Sequence, residues 1–295
     1  MQATPAVSKS PSFLSPLPVF FVFLWSTGFI VAKFGLPYAP PLMFLLLRFA
    51  GVLVILVPLV LLLRAPWPTG KVWHIALAGI LVHAGYLSGV WCAIKLGMPA
   101  GLSALIVGMQ PILTAFAAPL IGESVRPRQW LGLMFGIAGV ALVVYAKITL
   151  VGLSTAAIVL CLGALLSITA GTLYQKRYCP QFDLRTGTVI QFVASSIVVL
   201  PVAVLLEDFS DVQWNARFVG ALAWSVLALS IGAIFLLFAL IRRSDATQVT
   251  SLLYLTPPTT AVMAWLMFGE AFNLLGIAGM IVAVIGVIFV VSKRQ

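Results

Sequence analysis

Long apolar runs alternate with short interruptions of charge, proline and glycine from Leu17 to the end of the chain. Each run is about 20 residues long, enough for a helix to cross a hydrocarbon layer of about 30 Å. None has the every-second-residue polarity of a barrel strand. The pattern predicts ten helical spans, near residues 18–35, 41–63, 73–95, 101–121, 129–147, 153–175, 184–206, 217–241, 247–268 and 274–291. In hydrocarbon only a helix or a closed barrel satisfies its own backbone N–H and C=O groups, so the expected class is an all-α integral membrane protein. Residues 1–17, polar and rich in Pro and Ser, read as a cytoplasmic tail ahead of an uncleaved first span. The connections are too short for a soluble domain, which confines any chemistry to the bundle or its mouths.

One stretch occurs twice. Residues 93–144 align without a gap on residues 240–291, so that Pro111 meets Pro258, Gly122-Glu123 meets Gly269-Glu270, Gly132 meets Gly279 and Gly139 meets Gly286. Shared apolar letters mean little in such a chain, but a proline and a Gly-Glu pair fall where a helix bends or ends. Fainter matches pair Arg48-Phe49 with Gln191-Phe192, and His83 with Ser230. Each copy belongs to a half of five spans, residues 18–147 and 153–291, and an odd number of crossings turns the second half upside down. The expectation is ten transmembrane helices in two inverted five-helix repeats, an architecture in which rocking one half against the other opens a central site to alternate sides. Gly132, Gly136 and Gly139 in the fifth span, with Gly276, Gly279, Ala283 and Gly286 in the tenth, form small-residue faces suited to close packing of those two helices.

Composition agrees with the pattern and removes other classes. The chain is 62% hydrophobic and 8% charged, far from the roughly 25% charged residues of a soluble domain. The net charge of +10 comes from basic residues scattered singly or in pairs between apolar runs, which does not form a nucleic-acid surface. Its use is topological. Twelve of the 17 basic residues fall on the side of the termini, against Lys33, Lys95, Lys147 and Arg217 on the other, so the positive-inside rule places both termini in the cytoplasm. Cys92, Cys161 and Cys179 have neither disulfide nor metal-ligand spacing and read as packing residues; no metal and no cofactor is expected.

Polar and aromatic groups at membrane depth face protein or water rather than lipid. In the fourth span Ser103, Val107, Gln110 and Thr114 share one helical face, and the repeat gives the ninth span Thr250, Tyr254, Pro257 and Ala261 on the matching face, with Ser251 alongside. Pro111 and the Pro257-Pro258 pair free backbone carbonyls in mid-span, either for a cavity or simply as kinks. His83 and Tyr86 lie one turn apart in the third span; the imidazole is a ligand or proton carrier on one reading and bonded to a neighbouring helix on the other. Trp25, far from either end of the first span, is a stacking wall or a core residue. Arg48, inside the second span with no mid-membrane carboxylate to meet it, reads as structural or gating. Glu123 and Glu270 follow glycines at span ends and, by inversion, mark opposite mouths as gate or capping residues.

The stretch LGMPAGLSALIVGMQPILTAFAAPLIGESVRPRQWLGLMFGIAGVALVV resembles the signature of the drug/metabolite transporter superfamily, EamA type. LLYLTPPTTAVMAWLMFGEAFNLLGIAGMIVAVIGV resembles its second copy, and LWSTGFIVAKFGL with LLLRFAG resembles its first two spans. The resemblance implies the EamA transporter fold, cytoplasmic termini and export of small metabolites through a central cavity; the branch it most resembles is that of the YddG-type aromatic amino-acid exporters. Thr-Pro-Pro stands in the ninth span where the fourth has Met-Gln-Pro, so the halves do not contribute equivalent ligands.

Together these features predict a monomeric, multi-pass protein of the bacterial inner membrane, embedded in lipid, that exports amino acids, aromatic or otherwise apolar, by alternating access. Trp25, His83, Tyr86, Gln110, Ser251 and Tyr254 would line its cavity. Another metabolite class, such as a drug cation, a nucleotide sugar or a lipid-linked sugar, is the alternative. A membrane-embedded enzyme needs a nucleophile with a positioned base or a metal cluster, and a passive channel a ring of like groups; the sequence supplies neither, so no enzymatic activity is expected.

Overall fold

A computed structural model of the chain describes residues 16–117, 127–151, 153–233, 236, 255–270 and 273–291. The described residues form helices joined by short turns: α1 (Pro16–Gly35), α2 (Pro41–Leu62), α3 (Val72–Lys95), α4 (Ala100–Val107), α5 (Gln110–Ala117), α6 (Pro127–Val151), α7 (Thr155–Tyr178), α8 (Leu184–Leu206), α9 (Ala216–Ala233), α10 (Thr256–Phe268) and α11 (Leu274–Val291). Six of them, α1, α2, α3, α7, α8 and α9, are long and apolar enough to cross a membrane. Leucines and valines such as Val54, Leu62 and Leu205 point outward, whereas Ser26, Ser103, Thr169, Gln191, Ser195 and Ser230 are buried. A protein solvated by lipid distributes its side chains in this way.

The predicted fourth span is two helices. α4 stops at Val107, a turn occupies Gly108 and Met109, and α5 restarts at Gln110. Pro111 explains the break, since it has no N–H for the carbonyl four residues earlier. The Pro257-Pro258 pair does not interrupt the described part of the ninth span: both residues lie in the first turn of α10, where a missing N–H has no intrahelical partner to lose. α10 ends at Gly269, whose φ of 64° is left-handed and favours glycine, and the reversal carries Glu270 out of the helix. The Gly-Glu pair of the sequence is thus a helix stop followed by a turn that carries a buried carboxylate.

Two helix pairs organise the bundle. α2 and α8 run antiparallel: the Glu207 carboxylate at the end of α8 accepts the free N–H groups of Leu42 and Met43 at 3.0 and 2.8 Å, and the Thr186 hydroxyl at the start of α8 donates to the Pro66 carbonyl beyond the end of α2. Both carry an internal proline, Pro58 and Pro201. α6 and α11 pack through the predicted small-residue faces. A Cβ on Gly139 would lie 2.4 Å from Ala283 N and 2.5 Å from Gly279 O, and one on Gly286 would lie 2.5 Å from Gly132 O. Large side chains fill the remaining core, with Phe44 against Trp91 at 4.3 Å and edge-on to Phe218 at 5.4 Å.

Candidate functional site

α3 and α9 each contain a π-helical segment, Ile80–Gly85 and Ser225–Ala233, and at the spacing of the sequence repeat the first falls on residues 227–232 inside the second. A π turn holds an extra residue and leaves carbonyls poorly served within the helix. In α3 neighbouring hydroxyls serve them: Ser167 Oγ of α7 donates to Leu81 O at 2.8 Å, and Ser195 Oγ of α8 donates to Gly79 O at 3.0 Å. The second contact is possible because Gly79 has no side chain; a Cβ there would stand 2.5 Å from the Gln191 Cα.

That close approach sets up the polar centre. One turn beyond Gly79, His83 Nε2 is hydrogen-bonded to Gln191 Oε1 at 3.3 Å, and Gln191 Nε2 donates to Gln175 Oε1 of α7 at 3.0 Å. The imidazole stacks on Phe192, ring centroids 4.4 Å apart, and Phe192 meets Phe49 at 5.3 Å. Arg48, beside Phe49 on α2, donates from Nε to Ser230 Oγ in the α9 π segment at 2.9 Å. The centre therefore repeats one motif: a polar residue on α2 or α8 meets the π segment of α9 or α3, and the adjacent phenylalanines touch. Tyr86 is buried next to this centre, within electrostatic reach of Arg48.

The other predicted residues are distributed around it. Gln110 Nε2 donates to Thr172 Oγ1 at 2.8 Å, tying α5 to α7 directly after the Pro111 break. Trp25 packs with Phe21 and Leu236 in a separate small cluster rather than on His83. Pro257 and Pro258 line an apolar pocket with Leu105, Gly108, Met109 and Met280. Glu270 is buried at one end, where it accepts Ala100 N at 3.0 Å, Gly101 N at 3.3 Å and Lys33 Nζ at 2.5 Å. It caps α4 and binds α1 to it. Ser251, Tyr254 and Glu123 lie outside the described residues. At the opposite end His74 bonds Tyr174 and stacks on Tyr178, and Asp183 caps α8, its carboxylate held below the usual range by the Arg185 guanidinium bonded to it. Cys92, Cys161 and Cys179 are free thiols, and no cluster of metal-ligating side chains occurs among the described residues.

Gln175, Lys33 and Glu207 had no signal in the sequence beyond residue type, because what gives them partners is the packing of distant helices. Gln191 and Ser230 did have one: they are the repeat mates of Arg48 and His83.

The comparisons with known proteins follow the same division. The model of the EamA-like transporter family matches the chain twice, over residues 17–145 and 155–292. The chain is 30% identical to the uncharacterized transporter YvbV of Bacillus subtilis over 95% of this chain and 92% of that one. It is 27% identical to a probable amino-acid metabolite efflux pump of Salmonella typhimurium (95% and 94%), and 25% identical to the uncharacterized inner membrane transporter YedA of Escherichia coli (85% and 81%). A solved crystal structure shares the fold at a TM-score of 0.66 and 16% identity, covering 92% of this chain and 94% of that one. The chain is a multi-pass membrane protein and belongs to the EamA-like transporter family.

Proposed function

We propose that the protein exports amino acids with aromatic or otherwise apolar side chains across the bacterial inner membrane, by alternating access between two inverted halves of five spans, residues 18–147 and 153–291. The observation that carries the reading is the polar centre among the apolar helices, where amide, imidazole, guanidinium and hydroxyl groups stand beside the Phe49 and Phe192 rings. Such a mixture suits a zwitterion with an apolar body. The name of the Salmonella relative supports the substrate class. Reciprocity of contacts supports the inversion: Gly139 meets Gly279 while its repeat mate Gly286 meets Gly132, and Phe49 meets its own mate Phe192. Contacts of this form are expected about a twofold axis, and the two π segments are natural places for the halves to bend.

In this reading His83, Tyr86 and Gln110 line the cavity, and the ninth span supplies Ser251 and Tyr254. Glu270 latches one mouth. The termini are cytoplasmic, and a single chain in the bilayer is the transporting unit. The test is a screen of labelled amino acids in proteoliposomes, with and without a pH gradient. Saturable flux of an aromatic or aliphatic amino acid is expected, lowered about tenfold or more in His83→Ala at unchanged folding. Absence of saturable flux for every amino acid overturns the reading.

A further inference from the structure

We propose that Arg48 is the receptor for the carboxylate of the transported molecule, so that the site accepts carboxylate-bearing metabolites and refuses the corresponding amines. The proposal rests on the transport reading for its apolar body, but the anion site stands on observations of its own.

Arg48 lies mid-helix in α2 and is only 7% exposed. A guanidinium at such depth costs about 2.5–3.5 kcal/mol on insertion scales and offers five N–H donors in a planar fork. Among the described residues only Nε has a protein partner, the Ser230 hydroxyl at 2.9 Å. Nη1 and Nη2 are not sealed in: the sealed, unpartnered polar side-chain atoms of the described bundle are the hydroxyls of Ser88, Ser103, Ser225 and Thr256. Those two nitrogens carry donors that no described side chain or carbonyl takes.

No described carboxylate is available to fill the fork. Glu207 serves the α2 N-terminus, Glu270 serves Lys33 and α4, Asp183 serves Arg185, and Asp208 accepts from Ser210 N, with Asp211 beside it in the same turn. All five sit at helix ends. Ser230 meanwhile fixes the orientation of the guanidinium by holding Nε, which presents the paired Nη edge, the geometry that binds a carboxylate through two parallel bonds. The buried rings of Phe49 and Phe192, with His83 stacked on the latter, make the surroundings of the guanidinium apolar, and the Gln191 amide is held between His83 and Gln175. This setting differs from that of a snorkelling or merely structural arginine, whose donors would be spent on water or on backbone carbonyls.

The experiment uses the purified full chain in detergent, with binding followed by calorimetry and thermal shift, and flux followed in proteoliposomes. The probes are 3-phenylpropanoate, its uncharged amide, phenethylamine, phenylalanine and inorganic phosphate. Expected is binding of 3-phenylpropanoate at least about tenfold tighter than of its amide, with no competition by phenethylamine. Folded Arg48→Gln is expected to lose the preference for acid over amide, and Arg48→Lys, which keeps the charge but not the fork, to recover only part of it. An acid bound no better than its amide by the wild-type protein, or not at all, overturns the proposal, as does equal competition by phenethylamine or binding of phosphate alone. So does an unchanged preference in folded Arg48→Gln; if that variant does not fold, the wild-type comparison decides. Acid binding without flux of any amino acid would remove the transport reading and leave the anion site. Flux of phenylalanine with no preference for acid over amide would do the reverse.

Discussion

The Glu270 carboxylate takes two backbone N–H groups from the start of α4 and the ammonium of Lys33 on α1, so a single side chain joins three helices at one end of the bundle. Glu270→Gln keeps the shape, loses the charge and can accept through only one oxygen, and a loss of about 1–2 kcal/mol of stability is expected, seen as a lower melting temperature. The same change should open this end. A cysteine in place of Met98, which is buried beside the α4 N-terminus, should react faster with a thiol reagent in the Glu270→Gln background once Cys92, Cys161 and Cys179 have been replaced. An unchanged labelling rate would leave Glu270 a cap without a latch. At this scale the sequence showed that Glu270 follows a helix stop, because the Gly-Glu pair is a local signal. It could not show Lys33 as the partner, since 237 positions separate the two and nothing local couples them.

Helices are where sequence and structure agree most closely, and where they part for an identifiable reason. The small-residue stripes of the fifth and tenth spans predict contact because helices in lipid approach each other only where side chains are small, and α6 and α11 meet through Gly132, Gly139, Gly279 and Gly286. Gly286→Val would push a side chain into the Gly132 carbonyl, 2.5 Å from an added Cβ. Backbone cannot yield as a flexible side chain would, so a destabilisation of about 1–3 kcal/mol or more is expected. Gly163→Ala is the control: its Cβ meets nothing within 4 Å, and it should be neutral or gain up to about 1 kcal/mol from helix propensity. Similar melting temperatures for the two variants would mean that the interface tolerates separation. The π segments had no signature in the apolar pattern, because a single inserted position does not disturb hydropathy in a run that is apolar throughout. Only the helices packed around them, which supply Ser167 and Ser195 to the freed carbonyls, reveal the wider turn.

Across the whole molecule the two ends differ in character. Lys33, Lys95, Glu207, Arg217 and Glu270 gather at one end, whereas Arg64, Lys71, His74, Asp183 and Arg185 gather with the Pro66 and Cys179 turns at the other. In the proposed orientation the second end, richer in basic residues, faces the cytoplasm. In a cysteine-free background a cysteine at Gln213 should react with an impermeant thiol reagent on intact cells, and one at Lys71 only after the membrane is breached. Labelling of position 71 on intact cells would reverse the orientation and, with it, which mouth Glu270 guards.

By itself the sequence determined that the chain is a bundle of membrane helices, where most of them begin and end, and that one stretch is used twice. Those properties follow from hydrophobic length, helix stops and self-similarity, all of which can be read within about 20 residues or by sliding the chain along itself. Only the tertiary structure decided which polar groups meet. His83 found Gln191, Arg48 found Ser230 and Gln110 found Thr172, while Trp25 turned to a separate cluster. In a low-dielectric interior an unpaired polar group is costly, but the choice among partners is made by helix packing, by close approaches such as that at Gly79, and by π turns that shift the register of a face.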